Sequence, residues 1–175
     1  MSIIKTIKFR IANRSSAGRV KYLCEQGCKI GVNTRLLCEI GSFGTEPYLI
    51  EIGDDCLISN NISFFTHDGG VKVLNSLGYW GDKRMDKIGK IVIGNNCFIG
   101  NSAKIMSGIT VGDNVIIGAG AIVTKDIPSN SVVVGVPAKI VCTLDEFYEK
   151  NKKKFVPTCG LSHEEKKKYL LEIYK

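Results

Sequence analysis

Histidine is the side chain whose unperturbed charge change falls near neutral pH, at about 6.5, and this chain holds two, His67 and His163. His67 follows Phe64-Phe65-Thr66 and precedes Asp68-Gly69-Gly70. The first run reads as a wall segment that holds the imidazole rigidly; the second reads as a turn that leaves the ring exposed. An imidazole so placed can take a proton from a reacting group and later return it. One ring nitrogen must then be unprotonated, while the other is fixed by a group that accepts its hydrogen bond. Glu46, Glu51 or a backbone carbonyl could supply that orientation; Asp68 suits acceptor binding or loop anchoring equally. His163 lies in Ser162-His163-Glu164-Glu165, a helix capping box, and reads as a surface helix residue. A zinc-hydroxide mechanism needs several histidine ligands, which two histidines do not supply, so no metal is expected. Seven cysteines, an odd number without paired C-x-x-C spacing, argue against a disulfide framework.

These side chains need a rigid support. Ile93, Ile99, Ile105, Val111, Ile117 and Val123 stand six residues apart without a break. A helix repeats at about 3.6 residues and a strand at about 2, so neither alone yields that period. A chain that turns a corner after each short strand and stacks coil on coil does. The predicted fold is an all-β solenoid, a parallel β-helix with coils about 4.8 Å apart. Large residues at the first position of each six would point inward. So would the fifth-position residues Cys97, Ala103, Ile109, Val115, Ala121 and Ile127. Gly, Asn and Asp would take the corners, where positive φ or side-chain-to-backbone bonding is needed. Cys56 and Cys97 then read as core thiols.

The rhythm also runs through Ile30, Leu36, Ile52, Ile58 and Phe64. From Phe64 to Ile93 is 29 residues, not a multiple of six, so a loop of about 66–90 must leave the solenoid at His67. A smaller phase break falls at Ser42–Leu49. Glu46 and Glu51 lie roughly one coil before His67. Interruptions of a solenoid often mark its binding face. Tyr79 and Trp80, between Gly78 and Gly81, suit stacking on a sugar ring or packing against a neighbouring subunit.

On these residues the chain resembles the hexapeptide-repeat acyltransferases. That group includes galactoside and maltose acetyltransferases, xenobiotic acetyltransferases and the O-acetyltransferases of surface polysaccharides. The matching residues are the repeats, Glu46-Pro-Tyr-Leu-Ile-Glu-Ile-Gly-Asp and Phe65-Thr-His-Asp-Gly-Gly. Ile117-Gly-Ala-Gly-Ala-Ile-Val-Thr-Lys-Asp-Ile-Pro and Gly135-Val-Pro-Ala-Lys extend the match to about residues 25–142. The resemblance implies left-handed coiling, against the right-handed rule for parallel connections. It also implies a homotrimer with sites at subunit interfaces, and acetyl-CoA as donor with its pantetheine arm along the prism. His67 would be the base that takes the proton of an acceptor hydroxyl attacking the thioester. By motif, Asn101 lies nearest the thioester sulfur, and Gly118 and Ala119 offer backbone groups to the pantetheine amides. Thr124, Lys125 and Lys139 would approach the adenosine and phosphates, and Glu39 falls near an acceptor-contacting position. At Asn101 the sugar acetyltransferases commonly carry serine.

The expected function is acetyl-CoA-dependent O-acetylation of a sugar hydroxyl, in a surface polysaccharide or related glycan. A small-molecule acetyltransferase (antibiotic hydroxyl or nucleotide-sugar amine) and a non-catalytic β-helix scaffold are the alternatives. The net charge of +7 concentrates in Lys150–Lys154 and Lys166–Lys168. Without aromatic-interleaved basic motifs, it reads as solvated helix faces and not as a nucleic-acid site. No apolar run reaches about eighteen residues, so neither a membrane span nor a signal peptide is expected, and the free cysteines fit the cytoplasm. Three parts are expected: 1–26 with a helix Ser16–Gln26 stopped by Gly27, the solenoid 27–142, and 143–175. In the last part Thr143–Glu146 opens a helix toward Lys154 and Ser162–Glu165 opens another ending at Tyr174, together covering the last coil.

Overall fold

A computed structural model describes residues 3–175, so the first two residues of the expected N-terminal part lie outside the described residues. The rest of that part forms two helices, α1 (Ile3–Ala12) and α2 (Ser16–Glu25), where the sequence suggests one. The Ser15 hydroxyl caps α2 by accepting from Gly18 N–H at 3.1 Å, and Gly27 at φ 90° ends it. Phe9 of α1 meets Tyr22 of α2 edge to face, with ring centroids 5.8 Å apart.

Short strands follow: β1 (Lys29–Ile30), β2 (Arg35–Leu36), β3 (Ile50–Ile52), β4 (Leu57–Ile58) and β5 (Ser63–Phe64). After a long excursion containing α3 (Val71–Ser76) come β6 (Ile91–Ile93), β7 (Phe98–Ile99), β8 (Lys104–Ile105), β9 (Thr110–Val111), β10 (Ile116–Ile117) and β11 (Ile122–Val123). β12 (Ser131–Val134) and β13 (Lys139–Thr143) end the series. Three sheets result, ordered β1-β3-β6-β9, β2-β4-β7-β10-β12-β13 and β5-β8-β11. The chain visits them in turn, and every neighbour pair is parallel except β12–β13. The result is a three-faced coil around one apolar axis. Ile93, Ile99, Ile105, Val111, Ile117 and Val123 are at most 2% exposed, and the fifth-position residues at most 5%.

The corners divide the polar residues into two roles. Asn33, Asn61, Asn96, Asn114 and Asn130 take positive φ, as do Asp55 and Ser102. Their side chains form ladders from coil to coil, as in Asn96 Nδ2 to Asn114 Oδ1 at 2.8 Å and Asn114 Nδ2 to Asn130 Oδ1 at 3.1 Å. The glycine that follows each first-sheet strand works differently from the expectation, because its φ is not positive. A Cβ on Gly53 would lie 2.7 Å from Gly94 O, and one on Gly94 would lie 2.7 Å from Gly112 C and O. Close stacking of coils, not turn geometry, requires glycine there.

Three further details depart from the sequence reading. In the first coil a 3-10 turn, Ile40–Phe43, replaces a third-sheet strand, and its Phe43 ring packs 4.9 Å from Phe64. A second 3-10 turn, Pro47–Leu49, completes that phase break. At the far end β13 runs antiparallel to β12, which turns the last coil back as a hairpin.

The chain divides into two units after Leu144. In the second, α4 (Leu144–Asn151) stops before a 3-10 turn at Lys152–Lys154, short of the expected end. The expected capping box at Ser162 and Glu165 opens α5 (His163–Ile173). The lysines of both runs are exposed.

Candidate active site

His67 stands where β5 leaves the coil. Thr66 is buried, and the outgoing and returning segments of the excursion pair at its neck. Asp68 N–H donates to Lys87 O at 2.9 Å, and Gly89 N–H to Thr66 O at 2.8 Å. The phase break in the previous coil brings Thr45 and Glu46 over the same corner. Glu46 Oε2 lies 2.8 Å from His67 Nδ1 and accepts from Thr66 Oγ1 at 2.6 Å, while Oε1 accepts from Thr45 Oγ1 at 2.6 Å. The hydroxyls of Thr45 and then Thr66, followed by His67, hold the Glu46 carboxyl down to about 2. An ionised carboxylate can only accept, so Nδ1 carries a proton, and in the neutral ring the lone pair is then on Nε2. The His67 side chain is 52% exposed and that of Glu46 19%, an exposed imidazole oriented by a sheltered anion. Of the expected orienting groups, Glu46 is the one on the ring. Glu51 instead pairs with Lys29 at 2.6 Å and Lys90 at 2.7 Å.

Asp68 is engaged with other groups. Its carboxylate accepts from Gly70 N–H at 2.9 Å and from Lys87 Nζ at 3.0 Å, which anchors the start of the excursion. Both contacts, the Gly70 one first, hold its pKa below the usual carboxylate range. His67 lines a cavity of about 690 Å³ between α3 and the return segment 84–87. A smaller hollow of about 240 Å³ lies on its other side, against Gly41, Ser42 and Ser63. Glu39 lines a third cleft, which shares Gly41, Ser42 and Ser63 with that hollow. Tyr79 and Trp80 sit at the far end of the excursion, ring centroids 6.4 Å apart, with Tyr79 69% exposed. Trp80 borders a cleft with Asp68, Val71 and Ile88.

The expected donor residues do not gather on one corner. Asn101, Gly118 and Ala119 follow second-sheet strands, whereas His67, Thr124 and Lys125 follow third-sheet strands. The outer face of β5, β8 and β11 separates the two corners. Asn101 Oδ1 accepts from Asn60 N–H at 3.1 Å, so part of this side chain serves the corner ladder. The Gly118 N–H donates to Val133 O at 2.8 Å, and its carbonyl accepts from Ala121 N–H at 3.3 Å. A Cβ there would also meet Val134 Cγ1 at 2.7 Å. Ala119, Thr124, Lys125 and Lys139 are exposed, the last at the start of β13. All seven cysteines are unpaired, and burial pushes Cys28 up to about 12 and Cys38 to about 11. Among the described residues no group of three or more His, Cys, Asp or Glu could hold a metal ion, and no helix is long and apolar enough to cross a membrane.

Sequence reading missed Thr45 and Thr66, the hydroxyls that fix Glu46. Their only signal is adjacency to Glu46 and His67, and that becomes a contact once the coils stack.

Comparison with known proteins gives consistent relatives. Residues 90–125 match the family described as "Bacterial transferase hexapeptide (six repeats)". Protein CapG of Staphylococcus aureus is 39% identical over 150 residues, 85% of this chain and 85% of that protein. Galactoside O-acetyltransferase of Escherichia coli (strain K12) is 38% identical over 106 residues, 58% of this chain but 47% of that enzyme. Among solved structures, a galactoside acetyltransferase in complex with coenzyme A aligns with a TM-score of 0.60 and 26% identity, over 82% of this chain and 80% of that one.

Proposed function

The chain belongs to the hexapeptide-repeat acetyltransferases, and we propose that it carries acetyl from acetyl-CoA to a sugar hydroxyl, in a surface polysaccharide or related glycan. The observation that carries this reading is the Glu46–His67–cleft arrangement at the break in the coil. His67 Nε2 takes the acceptor hydroxyl proton as the oxygen attacks the thioester carbonyl. Carbon–oxygen bond formation and carbon–sulfur cleavage follow, and the imidazolium returns the proton to the departing thiolate. The attack is direct, with no acyl-enzyme. Glu46 stabilises the imidazolium through Nδ1–H and keeps the ring in the productive tautomer.

The donor's path is supported by axial order. His67 follows β5, Asn101 precedes β8, and Gly118 to Lys125 surround β11. Backbone bonds between Ile122 and both Gly135 and Ala138 lay the segment before Lys139 beside β11. With strands about 4.8 Å apart, an extended pantetheine arm along this series would set its thioester near His67 and its phosphates near Lys125 and Lys139. Because His67 and Asn101 stand on different corners, one donor needs His67 from one chain and Asn101 from a neighbour. That is the basis for assigning a homotrimer, with left-handed coils as in the relatives. We assign catalysis to the 27–142 solenoid, with 143–175 as an appendage. The unpaired cysteines support a cytoplasmic placement.

The test is thiol release from acetyl-CoA with panels of glycans, nucleotide sugars and antibiotics. Saturable release with a glycan is expected. Release independent of any acceptor, or preference for an antibiotic or amine, would remove the glycan assignment.

A further inference from the structure

The cavity beside His67 carries more positive than negative charge. On its walls Asp68 and Lys87 pair at 3.0 Å and offset each other. Lys72 on α3 and Arg84 on the return segment both line it, with Asp86 as the other charged lining residue. Lys72 and Arg84 are exposed and, among the described residues, have no ion-pair partner. Two cations lining one cavity repel each other and favour an anion bound between them.

The walls are held in place without a ligand. Asn75 clasps the return segment at two points: its Nδ2 donates to Met85 O at 2.8 Å and its Oδ1 accepts from Met85 N–H at 2.9 Å. The neck bonds of Asp68 and Gly89 fix the other end. The cations are thus positioned relative to His67 in advance, which lowers the ordering cost of binding. The cavity, about 690 Å³, has the size of a small-molecule site.

We propose that the acceptor is anionic, and that Lys72 and Arg84 hold a carboxylate or phosphate on the sugar that presents its hydroxyl to His67. This rests on the acetyl-transfer reading above. Arg84 supplies the planar fork that pairs with either anion, and Lys72 a point charge. Coenzyme A also carries phosphates. In the proposed path, however, these lie two strand spacings along the prism from His67, and the thioester end that reaches His67 is uncharged.

The test measures binding and turnover separately on the intact protein. Calorimetry in saturating coenzyme A compares a galacturonate disaccharide with its carboxyl-reduced galactose counterpart; thiol release from acetyl-CoA follows transfer to each. The acidic sugar is expected to bind about tenfold tighter at low salt, with the preference shrinking as salt rises. Lys72→Gln combined with Arg84→Gln should bring the two affinities together, and Lys72→Arg combined with Arg84→Lys should keep them apart. Equal affinities in the unaltered protein, or binding of neither sugar, would overturn the proposal. So would a double glutamine variant that loses coenzyme A affinity and keeps the acidic preference, since the cations would then serve the donor. An acidic disaccharide that binds with this preference but is never acetylated upholds the anion site and sinks the transfer reading instead.

Discussion

Glu46 gathers two hydroxyls and an imidazole on its two oxygens, and both its acidity and its use to His67 follow from that crowding. Removing the base should be severe: His67→Ala is expected to lower kcat by about 10²–10⁴-fold, with coenzyme A affinity retained by calorimetry. Turnover equal to the unaltered enzyme, in an assembled protein, would sink the assignment. Glu46 also links the site to acid stability. Its folded value of about 2 lies below the ordinary 4.5, so unfolding takes up a proton between those limits. Its stabilisation is complete above about pH 4.5 and declines as pH falls toward 2. Urea midpoints at pH 5 and pH 3 should therefore fall more steeply for the unaltered protein than for Glu46→Gln. A parallel fall in both would mean the carboxylate is no more acidic folded than unfolded.

At the scale of the element, the coils and the excursion have separable duties. The glycine column lets adjacent backbones approach too closely for a methyl group, and a Cβ added at Gly94 would lie 2.7 Å from Gly112 backbone atoms. Gly94→Ala must therefore push two coils apart, and a loss of about 1–3 kcal/mol is expected in urea denaturation. An unchanged midpoint would show that the coils can yield there. The excursion, by contrast, closes at its own neck through the bridge between His67 and Ile88 and contributes no strand to the three sheets. Replacing residues 71–86 with a short Gly/Ser linker should leave the far-ultraviolet circular dichroism of the coil intact while raising the acceptor KM. A collapse of the coil signal would instead make the excursion part of the folding unit.

For the whole molecule, the decisive fact is that His67, the proposed base, and Asn101 occupy different corners of the same prism. If neighbours supply the two halves of each site, chains carrying His67→Ala and chains carrying Asn101→Trp, each inactive alone, should regain activity when co-expressed. Mixed assemblies would contain interfaces where both residues are intact. Co-expressed chains as inactive as either parent would count against a shared site. Sedimentation should give a particle three times the 19.2 kDa chain.

The six-residue period was sufficient to read the coil, its inward residues and the point where His67 leaves it, because packing around a narrow axis repeats the same demand at every turn. Hydrophobic periodicity is local, so it also exposed the breaks at 42–49 and 66–90. It did not reveal helix α1, the 3-10 turn that stands in for a strand, or the antiparallel β13, since none repeats the six-residue pattern. Nor did it choose between Glu46 and Glu51. That choice depends on the pitch of the coil, which sets residues 21 apart at 2.8 Å while turning Glu51 onto the lysines of another face. Lys72 and Arg84 come to line one cavity through the Asn75 clasp, a contact between segments of no shared period. Residue types and spacing determined the scaffold and singled out His67; only the stacking of coils and the closure of the excursion decided what surrounds it, because those contacts join residues far apart along the chain.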